Sequence, residues 1–296
     1  MNLPNDVNCS RRTFGMLLGA GLTLVTAATA SAQAKGRAER WIVTNSYVAE
    51  IVVALGGGQQ IVALGGGSDH LTELKAVPRL PGFRQTSAEP MLSVSPTRVL
   101  VTNEWTVPQT LEQLRAAGVA VHVLSADQTP DGVEKRIRVV AELLGRESEG
   151  EALIARFHRE MAVVRADVAR QSRRPRALFI LAGGSRPTLV GGRNTNVAAL
   201  LELAGAINVA QDIEGFKVMS TEAMIVAAPE FILTNQDGTS PVDGVPVALR
   251  APGAMDTPAG KGGRLITVPG HFLQGMGIFT PQGVRTLARQ IHPGFP

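Results

Sequence analysis

One tyrosine, Tyr47, and five histidines, His70, His122, His158, His271 and His292, are the side chains of this 296-residue chain best suited to hold a transition metal. His122 falls inside a strand-like run, His158 on a long helical stretch and His292 near the C-terminal end, all placements that suit structural work. His70 and His271 stand in loops of opposite halves of the chain. They could clamp one bound group from two sides, or simply face water. Tyr47 opens a helical run, as a phenolate ligand or as a packing residue. The single cysteine, Cys9, precedes the body of the chain, so thiolate metal sites, disulfides and cysteine nucleophiles are excluded there.

Catalytic patterns are missing. The glycine clusters Gly56-Gly57-Gly58, Gly65-Gly66-Gly67 and Gly183-Gly184 never form Gly-x-Gly-x-x-Gly between a strand and a helix. There is no Gly-x-Ser-x-Gly elbow and no His-Glu-x-x-His. A site for bare zinc or manganese needs three or four converging ligands, which the scattered histidines do not supply. Binding therefore ranks ahead of catalysis, with a Rossmann-like enzyme as the contrasting class.

A repeat says where such binding would occur. Gly82 to Asn103 recurs as Gly215 to Gln236, every pair 133 positions apart, and seven of the twenty-two pairs are identical. Composition alone would give roughly one or two. The identities include Ser87/Ser220, Glu89/Glu222, Met91/Met224 and Pro96/Pro229. Two related halves are implied, each with the same helix start and strand, and ligands usually sit between such halves.

Ser10-Arg11-Arg12-Thr13-Phe14, a weakly apolar run to Ala30 and Ala30-Ser31-Ala32 match a twin-arginine signal over 1–32. Its presence predicts export of the folded protein to the periplasm. No later stretch is long and apolar enough to span a bilayer. The net charge is +4, and the basic residues are scattered without aromatic interleaving, which argues against nucleic acid.

From Arg40 onward, β-branched runs alternate with helical stretches, the mark of an α/β fold. Strands are expected over Trp41–Thr44, Ile61–Leu64, Arg98–Thr102 and Val119–Leu124, and again over Ala177–Leu181, Phe231–Thr234 and Leu265–Val268. Between the two sets, Leu153, Phe157, Met161, Val164 and Val168 make one apolar face on a helix too long for a crossover. Two Rossmann-like lobes, 38–145 and 174–296, joined by a rigid helix over 147–173, are the predicted architecture, with the ligand cleft between them. Asp237 to Gly263, rich in Gly, Pro and Asp, reads as a long surface loop.

With these elements in place, the chain resembles the substrate-binding proteins of bacterial ABC importers for iron complexes, and within them the periplasmic haemin-binding proteins. The resemblance rests on Val48-Ala49-Glu50-Ile51-Val52-Val53-Ala54-Leu55-Gly56, Arg84-Gln85-Thr86-Ser87-Ala88-Glu89 and Leu111-Glu112-Gln113-Leu114-Arg115-Ala116-Ala117-Gly118-Val119. In the second half it rests on Val190-Gly191-Gly192-Arg193-Asn194-Thr195, Leu203-Ala204-Gly205-Ala206-Ile207-Asn208 and Gly215-Phe216-Lys217. It implies capture of haem as a transported ligand rather than a catalytic cofactor, by a monomer that docks on a permease dimer through Glu89 and Glu222. A ferric siderophore or a corrinoid is the alternative cargo.

A haem site needs apolar walls, axial ligands and edge arginines for the propionates. Phe83, Trp105, Phe216 and Met276 could serve the walls, Arg84, Arg186 and Arg193 the edges, and His70 and His271, or Tyr47 as a phenolate, the axial positions. Haemin-binding relatives commonly place a tyrosine just before Arg-Gln-x-Ser-Ala-Glu. This chain carries Phe83 there, and phenylalanine cannot ligate iron.

Overall fold

Trp41, Ile42 and Val43 are bulky, apolar and wholly buried, the signature of a strand covered on both faces. They form β1 (Trp41–Val43). The computed structural model describes residues 38–80, 87–103, 107–182 and 188–296. The 1–32 signal segment lies outside these residues. After β1 come α1 (Ser46–Ala54), β2 (Ile61–Leu64), α2 (Ala88–Leu92), β3 (Arg98–Thr102), α3 (Pro108–Ala116), β4 (Ala120–Leu124) and α4 (Pro130–Leu144). The four strands make one parallel sheet in the order β2-β1-β3-β4. Thr129 caps α4, its hydroxyl accepting from the Gly132 N–H at 3.2 Å, and Gly145 ends the helix at φ +64°.

Helix α5 (Glu147–Ala169) runs 23 residues, roughly 34 Å at 1.5 Å per residue. Its buried face serves two cores in succession. Leu153, Ile154, Phe157 and Met161 join the core around Trp41 and Leu100, whereas Val164 joins the core around Phe179 and Leu233. That handover makes α5 the spine between two packed layers.

The second half contains β5 (Arg176–Leu181), β6 (Leu189–Gly191), α6 (Asn196–Leu203), β7 (Ile207–Asn208), β8 (Phe216–Lys217), α7 (Thr221–Ala227) and β9 (Phe231–Thr234). It continues with α8 (Gln236–Thr239), the hairpin β10 (Pro241–Val242) and β11 (Val245–Pro246), α9 (Pro258–Lys261), β12 (Leu265–Thr267) and α10 (Thr280–Ile291). Strands β7, β5, β9 and β12 are parallel and neighbour one another as β2, β1, β3 and β4 do. The repeat seen in the sequence is therefore a repeat of topology. It holds in local detail as well. Met91 and Met224 are both buried, and Ser95 and Ala228, one repeat apart, both adopt left-handed backbone, at φ 49° and 41°.

The second lobe also departs from the first. Antiparallel β6 and β8 extend its sheet, strands too short for an alternation signal. Asp237 to Gly263 is not a surface loop. Ala248, Leu249, Ala251, Ala254 and Ala259 are buried and complete a third core with Leu178, Ile180 and Met224. Small residues such as Ala give little periodic signal, yet they fit where a tightly wound segment lies close to a sheet. Among the described residues no helix is long and apolar enough to cross a membrane.

Candidate functional site

Beyond β12 the chain does not stay with its own lobe. Gly270–Leu273 makes one turn of 3-10 helix, and Met276 and Ile278 then bury themselves in the first lobe's core before α10 returns to the second. This strap needs glycine. Gly275 lies at φ +154°, and a Cβ there would come within 2.5 Å of the Tyr47 ring. Three polar groups of the first lobe hold the strap. Gln128 Oε1 accepts from the Met276 N–H at 2.7 Å, and Arg136 Nη2 donates to the Met276 carbonyl at 2.5 Å. The Glu50 carboxylate accepts a backbone hydrogen bond from Phe279.

Arg136 occupies a buried stripe of α4, with Val133, Ile137, Val140 and Ala141. Its Nη1 donates to the carbonyls of Ser125 at 2.8 Å and Asp127 at 2.9 Å, and its guanidinium lies 4.9 Å over the Tyr47 ring. Tyr47 is fully buried. Its hydroxyl donates to Thr102 Oγ1 at 3.3 Å and accepts from Asn45 Nδ2 at 3.4 Å. The phenol expected at the ligand is thus closed inside the first lobe, because α1 turns that face toward the sheet and the strap covers it.

The histidine pair does meet. His70 and His271 stack with ring centroids 4.2 Å apart and 22° between planes. Phe272 lies 3.9 Å from His271, and Phe279 meets His70 edge-on at 6.1 Å. His70 Nε2 is 3.0 Å from Glu50 Oε1. Burial pushes the Glu50 carboxyl up from its usual range, opposed by its bond to His70. Burial first, and the neighbouring His70 second, hold His271 down at about 4. The clamp expected across an iron is corrected by this geometry. Rings in van der Waals contact leave no room for a metal between them, so the pair here packs the strap onto the first lobe.

Other expected residues are dispersed. Phe83, Arg84, Trp105 and Arg186 lie outside the described residues. Phe216 is half-exposed on β8, edge-on to Phe179 at 6.3 Å. Arg193 is exposed and paired with Glu214 at 3.0 Å, so a ligand carboxylate would compete with that partner. His292 is buried with Nε2 2.8 Å from the Ala204 carbonyl, His158 meets Glu134 at 2.8 Å, and His122 lies 3.0 Å from Arg98. Gly65 is packed so closely on the Thr44 carbonyl that a Cβ would overlap it. That glycine serves packing, not phosphate. Among the described residues no three His, Cys, Asp or Glu side chains converge on a metal position.

Glu89 and Glu222 occupy equivalent exposed positions in the first turns of α2 and α7, behind Ser87 and Ser220. Ser220 Oγ accepts from the Ala223 N–H at 3.2 Å. Hydrogen bonds from its own backbone N–H and from Ser220 hold the Glu222 carboxyl below its usual range, so it is ionised at neutral pH. Sequence reading missed Glu50 and Arg136. Each left a signal: a lone charge in an otherwise apolar helix, and a cation in the apolar stripe of an amphipathic one.

A model of the family described as "Periplasmic binding protein" matches residues 42–271. The chain belongs to that family. It is similar to the periplasmic heme-binding protein RhuT from Roseiflexus sp. RS-1, solved in apo form, with 36% identity and a TM-score of 0.81 over 86% of this chain and 98% of that one. It is also similar to the periplasmic heme-binding protein BhuT in complex with two hemes, with 32% identity and a TM-score of 0.78 over 86% and 97%. A cobalamin-binding protein of Halobacterium salinarum is 26% identical over 239 residues, covering 78% of this chain. The match spans 63% of that relative's length. The two-lobed fold is common to these structures, and the chain is a binding protein of a periplasmic transport system by family.

Proposed function

We propose that this protein captures haem in the periplasm and hands it to the permease dimer of an ABC importer. The observation that carries the reading is the 36% identity sustained over 98% of RhuT, a heme-binding protein. The Arg84-to-Glu89 segment, the sequence feature most particular to the haemin branch, points the same way. Export by the twin-arginine route, the lobe limits 38–145 and 174–296, and action as a monomer without catalysis complete the proposal. Phe83, Arg84, Trp105, Arg186, Arg193 and Phe216 are its candidate ligand contacts, and Glu89 and Glu222 its docking carboxylates. For His271 to reach an iron, its stack on His70 would have to open.

A corrinoid is the second reading, favoured by the similarity to cobalamin-binding proteins and by Phe83 in place of a tyrosine. A corrinoid brings its own lower ligand, so it asks for no protein phenolate. Titration of the purified protein with ferric haemin and, separately, with cobalamin distinguishes the two. A shifted Soret band that saturates, with no cobalamin binding, is the expected result. A haemin spectrum identical to that of free haemin would overturn the haem reading. Loss of the shifted band in His271→Ala but not His70→Ala would identify the axial ligand.

A further inference from the structure

The two proposed docking carboxylates stand on unlike ground. On α7, Ile225 and Val226 follow Glu222 by three and four positions and so share its face of the helix. Val226 is 81% exposed and Ile225 43%. Val218, two residues before the Ser220 cap, is 62% exposed. Met255, 49% exposed, belongs to the turn that Gly253 seats against Thr221 at the start of α7. Two large apolar side chains thus share the helix face of one ionised carboxylate, and two more stand exposed on the segments that adjoin the start of that helix. One repeat earlier, the positions of Ile225 and Val226 are Leu92 and Ser93. Leu92 turns partly into the first lobe's core, and the Ser93 hydroxyl donates to the Pro90 carbonyl at 2.9 Å. Among the described residues, no large exposed apolar side chain lies on α2.

Resting on the docking reading above, we infer that the two lobes engage the permease unequally: Val218, Ile225, Val226 and Met255 form an apolar contact around Glu222, while Glu89 docks by charge alone. Charge selects this occupant. A second copy joined through the same face would bring two Glu222 carboxylates together, because a two-fold interface repeats the same patch on both sides. An anionic lipid surface would repel that carboxylate as well. A protein surface carrying a cation beside apolar side chains complements both features at once. Exposed apolar side chains grouped beside polar groups are a feature of interaction sites.

The test measures binding of the full-length mature protein to the permease–ATPase complex of the cell's haem importer in nanodiscs. The double variant Ile225→Ser/Val226→Ser should weaken binding at least tenfold, as expected for losing about two partly buried aliphatic side chains. Ser93→Gln, at the equivalent first-lobe position, should change it less than twofold. Raising the salt should erode the contribution of Glu89 while the apolar contribution persists. Unchanged affinity in the double variant, or equal losses from both lobes, would overturn the inference. So would binding to nanodiscs lacking the complex, or a sedimentation-detected dimer that the double variant dissolves. Glu89→Ala and Glu222→Ala separate the two levels. If neither weakens binding, the docking reading itself fails. If both do and the apolar variant does not, only the inequality fails. Retained ligand binding in each variant confirms folding.

Discussion

Arg136→Met probes the strap that ties the lobes together. Methionine keeps most of the side chain's length and its apolar stem, but it removes two hydrogen bonds to the carbonyls of Ser125 and Asp127 and one to Met276. It also removes the cation over Tyr47 and a favourable positive charge near Glu50. Hydrogen bonds from a charged donor are worth about 1.5–3 kcal/mol each, and carbonyls left buried without donors cost about 1–3 kcal/mol. Relief from burying a guanidinium offsets part of that loss. The expected net destabilisation is about 3 kcal/mol, within a range of about 2–5 kcal/mol. Urea unfolding of the ligand-free protein measures it, with Arg138→Met as control. Arg138 forms solvent-exposed pairs with Glu134 and Glu151, so it should cost about 0.5 kcal/mol. Hydrogen exchange localises the effect: the amides of Met276, Gly277 and Thr280 should lose protection before those of β1 and β3. A loss below about 1 kcal/mol, or strap amides protected as in the wild type, would refute the assignment of Arg136 as the strap's anchor.

Three further outcomes are expected. In the folded protein His271 resists protonation down to about 4, whereas an unfolded histidine charges near 6.5. The unfolded state therefore takes up the proton first, so stability from this group is full above pH 6.5 and is lost as pH falls toward 4. Between pH 6.5 and 4 the urea midpoint should fall less in His271→Gln than in wild type, or rise. The comparison isolates His271 from Glu50, whose raised pKa acts with the opposite sign. Glu89→Ala and Glu222→Ala should each reduce haem uptake by reconstituted importer at least tenfold while haemin affinity stays unchanged; loss of affinity would instead mark a folding or ligand-site role. Ser95→Gly and Ala228→Gly should each stabilise by about 0.5 kcal/mol, read as a higher urea midpoint, because glycine accepts left-handed backbone without a Cβ clash.

The sequence alone determined the fold class, because periodicity and repetition are local properties. The apolar face of α5 and the duplicated serine, glutamate, methionine and proline were legible without coordinates, and the strands of both lobes fell close to where alternation placed them. What stayed hidden is what depends on distant segments meeting. That the Asp237–Gly263 stretch builds a core was invisible because alanine carries no periodic signal. That Tyr47 lies under a strap more than two hundred positions away in sequence could not be read from its place at a helix start. His70 and His271 stand in opposite halves of the chain, and only tertiary packing decided that their rings touch. A loop's sequence states which donors it carries, whereas the separation of two rings is set by how tightly the strap seats between glycine, arginine and glutamate. For the same reason the equality of Glu89 and Glu222 is a fact of sequence, and the inequality of the surfaces around them is a fact of packing.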